Sequence, residues 1–189
     1  MTDIDRQHKH SNARFLRTVQ RIGAKAFWLR TNQNAINGMK GVDAIGLDFF
    51  RVSLNALKDA RLVRLIRVLE DHSRVASFWY LLKCDPRLVE TAASKGGLDL
   101  QKLRLVANAL GPIRTKTFMH IDKDGVFDPQ SFYKAGGLTH ADLDEMIEGL
   151  WRTMNHLHVE VLGREIGGDD YSGDDIRALA QLRDERSCD

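Results

Sequence analysis

The sequence has few of the residues that interrupt helices or cross-link chains. Only three of its 189 residues are proline, and two, Cys84 and Cys188, are cysteine. Because proline ends or kinks a helix, so low a content favours long helices. The two cysteines lie far apart, the second in a polar stretch. They therefore favour reduced thiols over a disulfide framework and predict a cytoplasmic protein.

Long apolar runs and an excess of one charge are also missing. No stretch approaches the roughly 20 apolar residues that span a bilayer, and the polar N-terminus has no signal-peptide core, so no membrane partner is expected. Lysine and arginine total 28 against 26 aspartate and glutamate, a formal net charge of +2. Bulk charge does not indicate nucleic-acid binding, so any basic surface must come from local clustering.

What the sequence does contain is apolar residues at alternating steps of three and four. This spacing places them on one face of an α-helix. Four such stripes begin at Phe15, Phe50, Leu103 and Leu143. With no strand-like alternation, they predict an all-α fold, an up-and-down four-helix bundle with short extra helices. The stripes leave enough apolar surface for a homodimer.

The helical pattern also divides the chain. We expect residues 1–10 to be a flexible N-terminus, residues 11–166 to form the helical bundle domain, and residues 167–189 to be an acidic, polar C-terminal tail. Ser11 is a candidate cap of the first helix, and Thr139, followed three residues later by a carboxylate, has the pattern of a capping box.

Two further local signals concern the middle of the chain. Pro112 lies inside the third long helix and removes a backbone amide, which predicts a kink there. The aromatic residues 78–80 could stack on bases, but their setting is more typical of a lid over the helical core.

Cations follow the flank of the second long helix at successive steps of three, namely Lys58, Arg61, Arg64 and Arg67. A solvated helix face is the ordinary interpretation of such a run. The alternative is a ridge of phosphate contacts, which makes Arg61, Arg64 and Arg67 candidate nucleic-acid-binding residues.

The stretch from residue 111 to 124, G-P-I-R-T-K-T-F-M-H-I-D-K-D, brings Arg114, Lys116, His120 and Asp122 together near the end of the third long helix. A nearby cation lowers the pKa of an imidazole and a carboxylate raises it, so the set could tune His120 for proton transfer near neutrality. An arginine could hold a phosphate and stabilise transition-state charge. The alternative is that His120 is a structural residue of the core.

One helix does not bring Arg114 and His120 together. Six residues turn a helix by about 600°, which leaves the two side chains roughly 120° apart. A second copy of the helix, packed across a twofold axis, would place both arginines and both histidines at one cleft.

The sequence predicts neither a metal nor a cofactor. The spacing from His120 to Ser131 copies the middle of a calcium loop but lacks the carboxylates required at its first and twelfth places. His156 and His158 point about 200° apart on a helix and do not form a zinc pair. No glycine-rich loop suited to phosphate is present.

Residues 114–120, R-T-K-T-F-M-H, resemble the arginine–histidine motif of the HEPN superfamily. Residues 112–122 match the wider pattern P-I-R-x-K-x-x-x-H-x-D of its abortive-infection AbiU-like branch. In that branch the motif follows a long helix of the type L-N-A-L-K-D-A-R-L-V-R-L-I-R-V-L-E-D, as it does here. The resemblance covers about residues 12–162.

The resemblance implies a helical bundle that dimerises through its motif helices. It also implies a metal-independent endoribonuclease of phage defence or of a toxin–antitoxin system, with RNA and an antitoxin or defence protein as partners. Arg114 and His120 would be the catalytic pair, supported by Thr115, Lys116 and Asp122.

Two positions depart from active members of the family. Thr115 stands where an asparagine, aspartate or histidine commonly follows the arginine, so a catalytically inactive HEPN module that binds RNA or a partner protein is the alternative. Asp122 stands where some members carry a tyrosine that a partner nucleotidyltransferase modifies, which argues against that form of control.

Overall fold

The chain is helical in every segment that can be described. The computed structural model describes the backbone of residues 3–39, 48–113, 139–168 and 171–178, and no strand occurs in these ranges. The all-α prediction is confirmed. The longer helices in these ranges are α1 (Asp3–Gly38), α2 (Asp48–Leu69), α3 (Phe78–Cys84), α4 (Pro86–Gly96), α5 (Leu100–Ile113) and α6 (His140–Leu162), and residues 174–178 are also helical.

Helix α1 is the longest of these helices and packs against α2, α3 and α6. It packs on α2 along one side and on α6 along another, while α4 packs on α6 and α5 lies against α2. Its predicted seam is the buried one, because Val19, Ile22 and Leu29 are fully buried. The predicted start of α1 is wrong: the helix begins at Asp3, so Ser11 lies inside it and is not its N-cap.

The ends of α6 follow from local chemistry. Thr139 Oγ1 accepts from the amide of Asp142 at 3.1 Å, and Asp142 Oδ2 accepts from the amide of Thr139 at 3.2 Å. This is the predicted capping box. At the other end Gly163 has φ of +69° and its amide bonds to Val159, the left-handed turn that ends many helices.

The aromatic segment is a lid over the core, as expected. Phe78 is fully buried and Trp79 is 2% exposed. Trp79 Nε1 donates to the carbonyl of Leu69 at 2.8 Å, and the guanidinium carbon of Arg104 lies 3.5 Å from its ring centroid. Trp79 thus connects the end of α2 to α5, and neither buried ring is free to stack on a base.

Close approach of α4 to α6 depends on a glycine. A Cβ at Gly96 would lie 2.6 Å from Thr153 Oγ1 and 2.7 Å from its amide nitrogen. Thr153 is fully buried and donates to the carbonyl of Gly149 at 2.8 Å. Only glycine therefore lets the end of α4 reach the backbone of α6.

The segment after α6 returns along the helices. The amide of Ile166 donates to Asn155 Oδ1 at 2.9 Å, and Asn34 Nδ2 of α1 donates to the carbonyl of Tyr171 at 2.7 Å. The described part of the predicted acidic tail thus contacts α1. Burial, with a hydrogen bond to Asp175, raises the pKa of Tyr171 to about 12.

None of the helices within the described residues combines the length and apolar character needed to cross a membrane. Pro112 lies inside α5, as predicted. The expected kink and the re-aimed segment beyond Ile113 fall outside the described ranges.

A buried arginine joins three of the helices. Arg61 of α2 is 2% exposed, and its Nη1 donates to Gln33 Oε1 of α1 at 2.5 Å and lies 3.6 Å from Asp144 Oδ1 of α6. Burial lowers the pKa of Arg61, and the Asp144 carboxylate opposes that shift.

The burial of Arg61 corrects the predicted phosphate ridge. Three residues turn a helix by about 300°, which is 60° short of a full turn, so each successive cation of the series points about 60° away from the one before it. Between Arg61 and Arg67 the direction changes by about 120°. Arg61 accordingly points into the protein, Arg64 is half-buried and Arg67 is exposed. Arg61 does not offer its guanidinium to a phosphate in this arrangement.

We expect Arg61→Ala to lower the free energy of unfolding by about 2–4 kcal/mol, because it leaves Gln33 and Asp144 facing a cavity. Arg51→Ala is the control on the same helix. Arg51 pairs with Asp48 at 2.7 Å, but both side chains are exposed, so its loss changes stability by less than about 0.5 kcal/mol. Urea unfolding followed by circular dichroism measures both. Equal effects of the two substitutions would contradict the structural role of Arg61.

Candidate nucleic-acid interface

Helix α1 carries a line of cations beside its buried seam. Arg14, Arg17, Arg21 and Lys25 follow at steps of three, four and four, which keeps them on one stripe. We call these four residues the cationic stripe. Buried Ile22 and Ala26 directly follow Arg21 and Lys25 in the chain. One residue turns a helix by about 100°, so the cationic stripe lies about 100° round the helix from the core. It occupies the edge of α1 rather than its outermost face.

The first three arginines of the stripe line an open groove. Arg14, Arg17 and Arg21 border a groove of about 830 Å³, which Ala76 from the connection between α2 and α3 also lines. All three arginines are exposed. The ion pairs that join described residues to one another involve other side chains.

Helix α2 extends the positive surface. Burial lowers the pKa of Lys25, and repulsion from Arg67 and Arg21 lowers it further, while Glu70 opposes the shift. Lys25 of α1 therefore lies close enough to Arg67 of α2 for the two charges to interact. A phosphate backbone placed among them would be neutralised by these cations and would release its bound counterions, which is the usual electrostatic basis of nucleic-acid binding.

An exposed aromatic ring ends this surface. Trp28 continues the stripe three residues beyond Lys25 and is 50% exposed. The guanidinium carbon of Arg64 lies 5.9 Å from its ring centroid, and the Phe27 ring meets it edge-on at 5.5 Å. Cations interleaved with an aromatic ring are typical of single-strand nucleic-acid sites.

Much of the site expected from the sequence lies beyond the described ranges. Arg114, Thr115, Lys116, His120 and Asp122 all do, so their mutual geometry stays a prediction. Helix α5 can be followed to the residue before Arg114. Its last turns line a small cleft of about 210 Å³ with the end of α2.

The α1 stripe was missed by sequence reasoning, although its signal was present. The predictions above rest on the 3/4 spacing of apolar residues and on the clustered cations of the second helix. The same spacing applied to lysine and arginine of the first helix gives Arg14, Arg17, Arg21 and Lys25 directly.

Histidines give no sign of metal chemistry in the described residues, where no group of three or more potential ligands is suited to hold an ion. His156 is exposed, while His158 is buried and donates from Nδ1 to the carbonyl of Arg164 at 3.1 Å.

We expect Arg17→Gln combined with Arg21→Gln to weaken binding of single-stranded RNA and to make the slope of log K against log salt about 1.4 shallower, since each lost phosphate contact contributes about 0.7. The control is Arg87→Gln combined with Lys95→Gln, which removes two exposed cations of α4. The two double variants therefore have the same net charge. Fluorescence anisotropy over a salt series measures the slopes. Equal slopes for the two double variants would contradict a localised interface.

Lys25→Gln should stabilise the protein while weakening RNA binding. Because the pKa of Lys25 is lowered from 10.5 in the folded protein, its charge opposes folding at neutral pH. The midpoint of thermal unfolding should rise by on the order of 1 °C. That gain should shrink as pH rises from the lowered pKa towards 10.5. Lys95→Gln, an exposed lysine, is the control, and a lower midpoint for Lys25→Gln would refute the assignment.

Comparison with known proteins adds no family to this picture, since no family model, no curated protein and no solved structure matches the chain. The function is therefore inferred from the residues themselves. In the described part of the chain, these are a cationic stripe, the neighbouring cations of α2 and an exposed tryptophan.

Proposed function

We propose that this protein is a metal-independent endoribonuclease of the HEPN type that acts in phage defence, as in abortive infection, or in a toxin–antitoxin system. The observation that supports it best is the cluster of cations on α1 and α2, in which Arg14, Arg17 and Arg21 line a groove and Lys25 lies near Arg67, with Glu70 as the neighbouring carboxylate. A near-neutral protein has no general reason to concentrate cations there, and a polyanion accounts for them.

The sequence motif supplies the chemistry of the proposal. Arg114 holds the scissile phosphate and stabilises the charge that develops on it. His120 exchanges protons as general acid or base while the 2′-hydroxyl attacks the adjacent phosphorus. The reaction leaves a 2′,3′-cyclic phosphate and releases a 5′-hydroxyl. Thr115, Lys116 and Asp122 support the pair through hydrogen bonding and charge.

The proposal includes a four-helix bundle of α1, α2, α5 and α6 and a homodimer formed through the motif helices. The packing of α1 on α2 and α6, and of α2 on α5, is what supports the bundle. A twofold axis would bring two Arg114–His120 sets to one cleft. A cytoplasmic location and an antitoxin or defence protein as partner belong to the same proposal.

A catalytically inactive HEPN module that binds RNA or a partner protein is the second candidate. Thr115 favours it, because threonine stands directly after the arginine, where active members commonly carry another polar residue. The positive surface serves binding alone equally well. The two candidates differ only in whether bound RNA is cut.

We expect the purified protein to cleave RNA in excess EDTA and to leave 2′,3′-cyclic phosphate ends. His120→Ala should lower the rate by at least about 100-fold, the usual contribution of a general acid or base. His156→Ala, an exposed histidine of α6, should keep full activity. Gel analysis of end-labelled RNA gives both rates, and circular dichroism confirms folding.

Undiminished cleavage by His120→Ala, or cleavage that requires added metal, would refute the catalytic assignment. RNA that is bound by the wild-type protein and never cut would select the inactive module. Sedimentation equilibrium tests the dimer independently, and a monomer at the concentration that supports cleavage would exclude the shared cleft.

A further inference from the structure

The three tryptophans of the protein have different surroundings. Trp79 is buried, its indole nitrogen donates a hydrogen bond to the carbonyl of Leu69, and the Arg104 guanidinium stacks on its ring. Trp151 is half-buried beneath Arg30, whose guanidinium carbon lies 5.4 Å from its centroid. Trp28 leaves half of its surface in contact with solvent. Packing within the fold explains the positions of Trp79 and Trp151, whereas half of the Trp28 side chain has no packing role.

Trp28 stands at a defined place on the antiparallel pair of α1 and α2. Moving along α1 from Gln33 to Trp28 to Lys25, the partners on α2 are Arg61, Arg64 and Arg67 in turn. The first of these pairs is buried and fixes the register. The ring of Trp28 is therefore held next to the cationic stripe by the same helix pairing that holds the core.

We infer that Trp28, with Arg64 against its ring, is a stacking subsite for one unpaired nucleobase. This subsite makes the interface prefer single-stranded over double-stranded RNA. The inference rests on the proposed function for its ligand, RNA, and adds a selectivity that the Arg114–His120 motif does not supply.

Charge decides between RNA and a second copy of the protein as the occupant. A symmetric contact centred on Trp28 would bring Lys25, Arg64 and Arg67 of one copy against the same residues of the other, and like charges across an interface are unfavourable. A polyanion with flat, apolar bases satisfies the cations and the ring together. Every base has a face that can stack, so such a subsite tolerates different sequences.

Strand selectivity follows from geometry. In a duplex each base is stacked above and below and offers only its edges, so a ring on a helix surface cannot reach a base face. In a single strand a base can turn out and lie on the indole while its flanking phosphates meet the stripe. A guanidinium on the ring contributes further attraction to the stack.

The test is fluorescence anisotropy with short 2′-O-methyl RNA, which lacks the attacking hydroxyl and stays intact, as a single strand and as the same strand annealed to its complement. Trp28→Ala should weaken single-strand binding on the order of 5- to 100-fold and leave duplex binding unchanged. Trp28→Phe should keep most of the affinity.

The control is Phe49→Ala. Phe49 is 75% exposed and precedes Arg64 by fifteen residues of α2, about 22 Å along the helix. This substitution should change neither affinity. Single-strand binding should also quench the tryptophan emission of the wild-type protein, and Trp28→Phe should abolish that quenching while it still binds.

Two results would overturn the subsite while leaving the proposed function intact: unchanged single-strand affinity in Trp28→Ala, or an equal loss for both RNA forms. Quenching that persists in Trp28→Phe would place the bound base elsewhere. A wild-type protein that binds neither RNA form would refute the proposed function as well, and cleavage assays with unmodified RNA would show that failure separately.

Discussion

The contact of Arg61 with Gln33 and Asp144 determines how three helices lie against one another. A guanidinium in a protein interior is unfavourable unless its donors find acceptors. Helices α1 and α6 must therefore stand at the register that presents Gln33 and Asp144 to α2. Sliding α1 by one turn would remove Gln33 from reach. Apolar seams alone tolerate such a slide far better, because one leucine can replace another.

The same register arranges the positive surface. With Gln33 set against Arg61, Trp28 comes opposite Arg64 and Lys25 comes near Arg67. Repulsion among these cations, and the partial burial of Lys25, oppose folding. The buried seam of α1 and the polar contact at Arg61 offset that opposition. A surface that is unfavourable for the protein alone and favourable with an anion is a common feature of binding sites.

Sequence and structure agree where the physics is local. The spacing around Val19 and Ile147 predicts which residues are buried, because the period of a helix depends on the segment itself. The capping box at Thr139 is equally local. Ser11 shows where local signals fail. A suitable N-cap residue marks the start of a helix only if the residues before it are not helical, and here α1 begins at Asp3.

By itself the sequence determined the helical class, the buried stripes of α1, α5 and α6 and the residues of the Arg114–His120 motif. The stripe predicted for α2 is buried only in its second half, because Phe50, Leu54 and Leu57 are half-buried. The tertiary structure alone decided which cations face solvent. Arg61 and Arg67 belong to one regular series, yet one is buried and the other exposed. Their difference depends on how α2 is rotated against α1 and α6, and no pattern within one helix specifies that rotation, because it is set by contacts between residues distant in the chain.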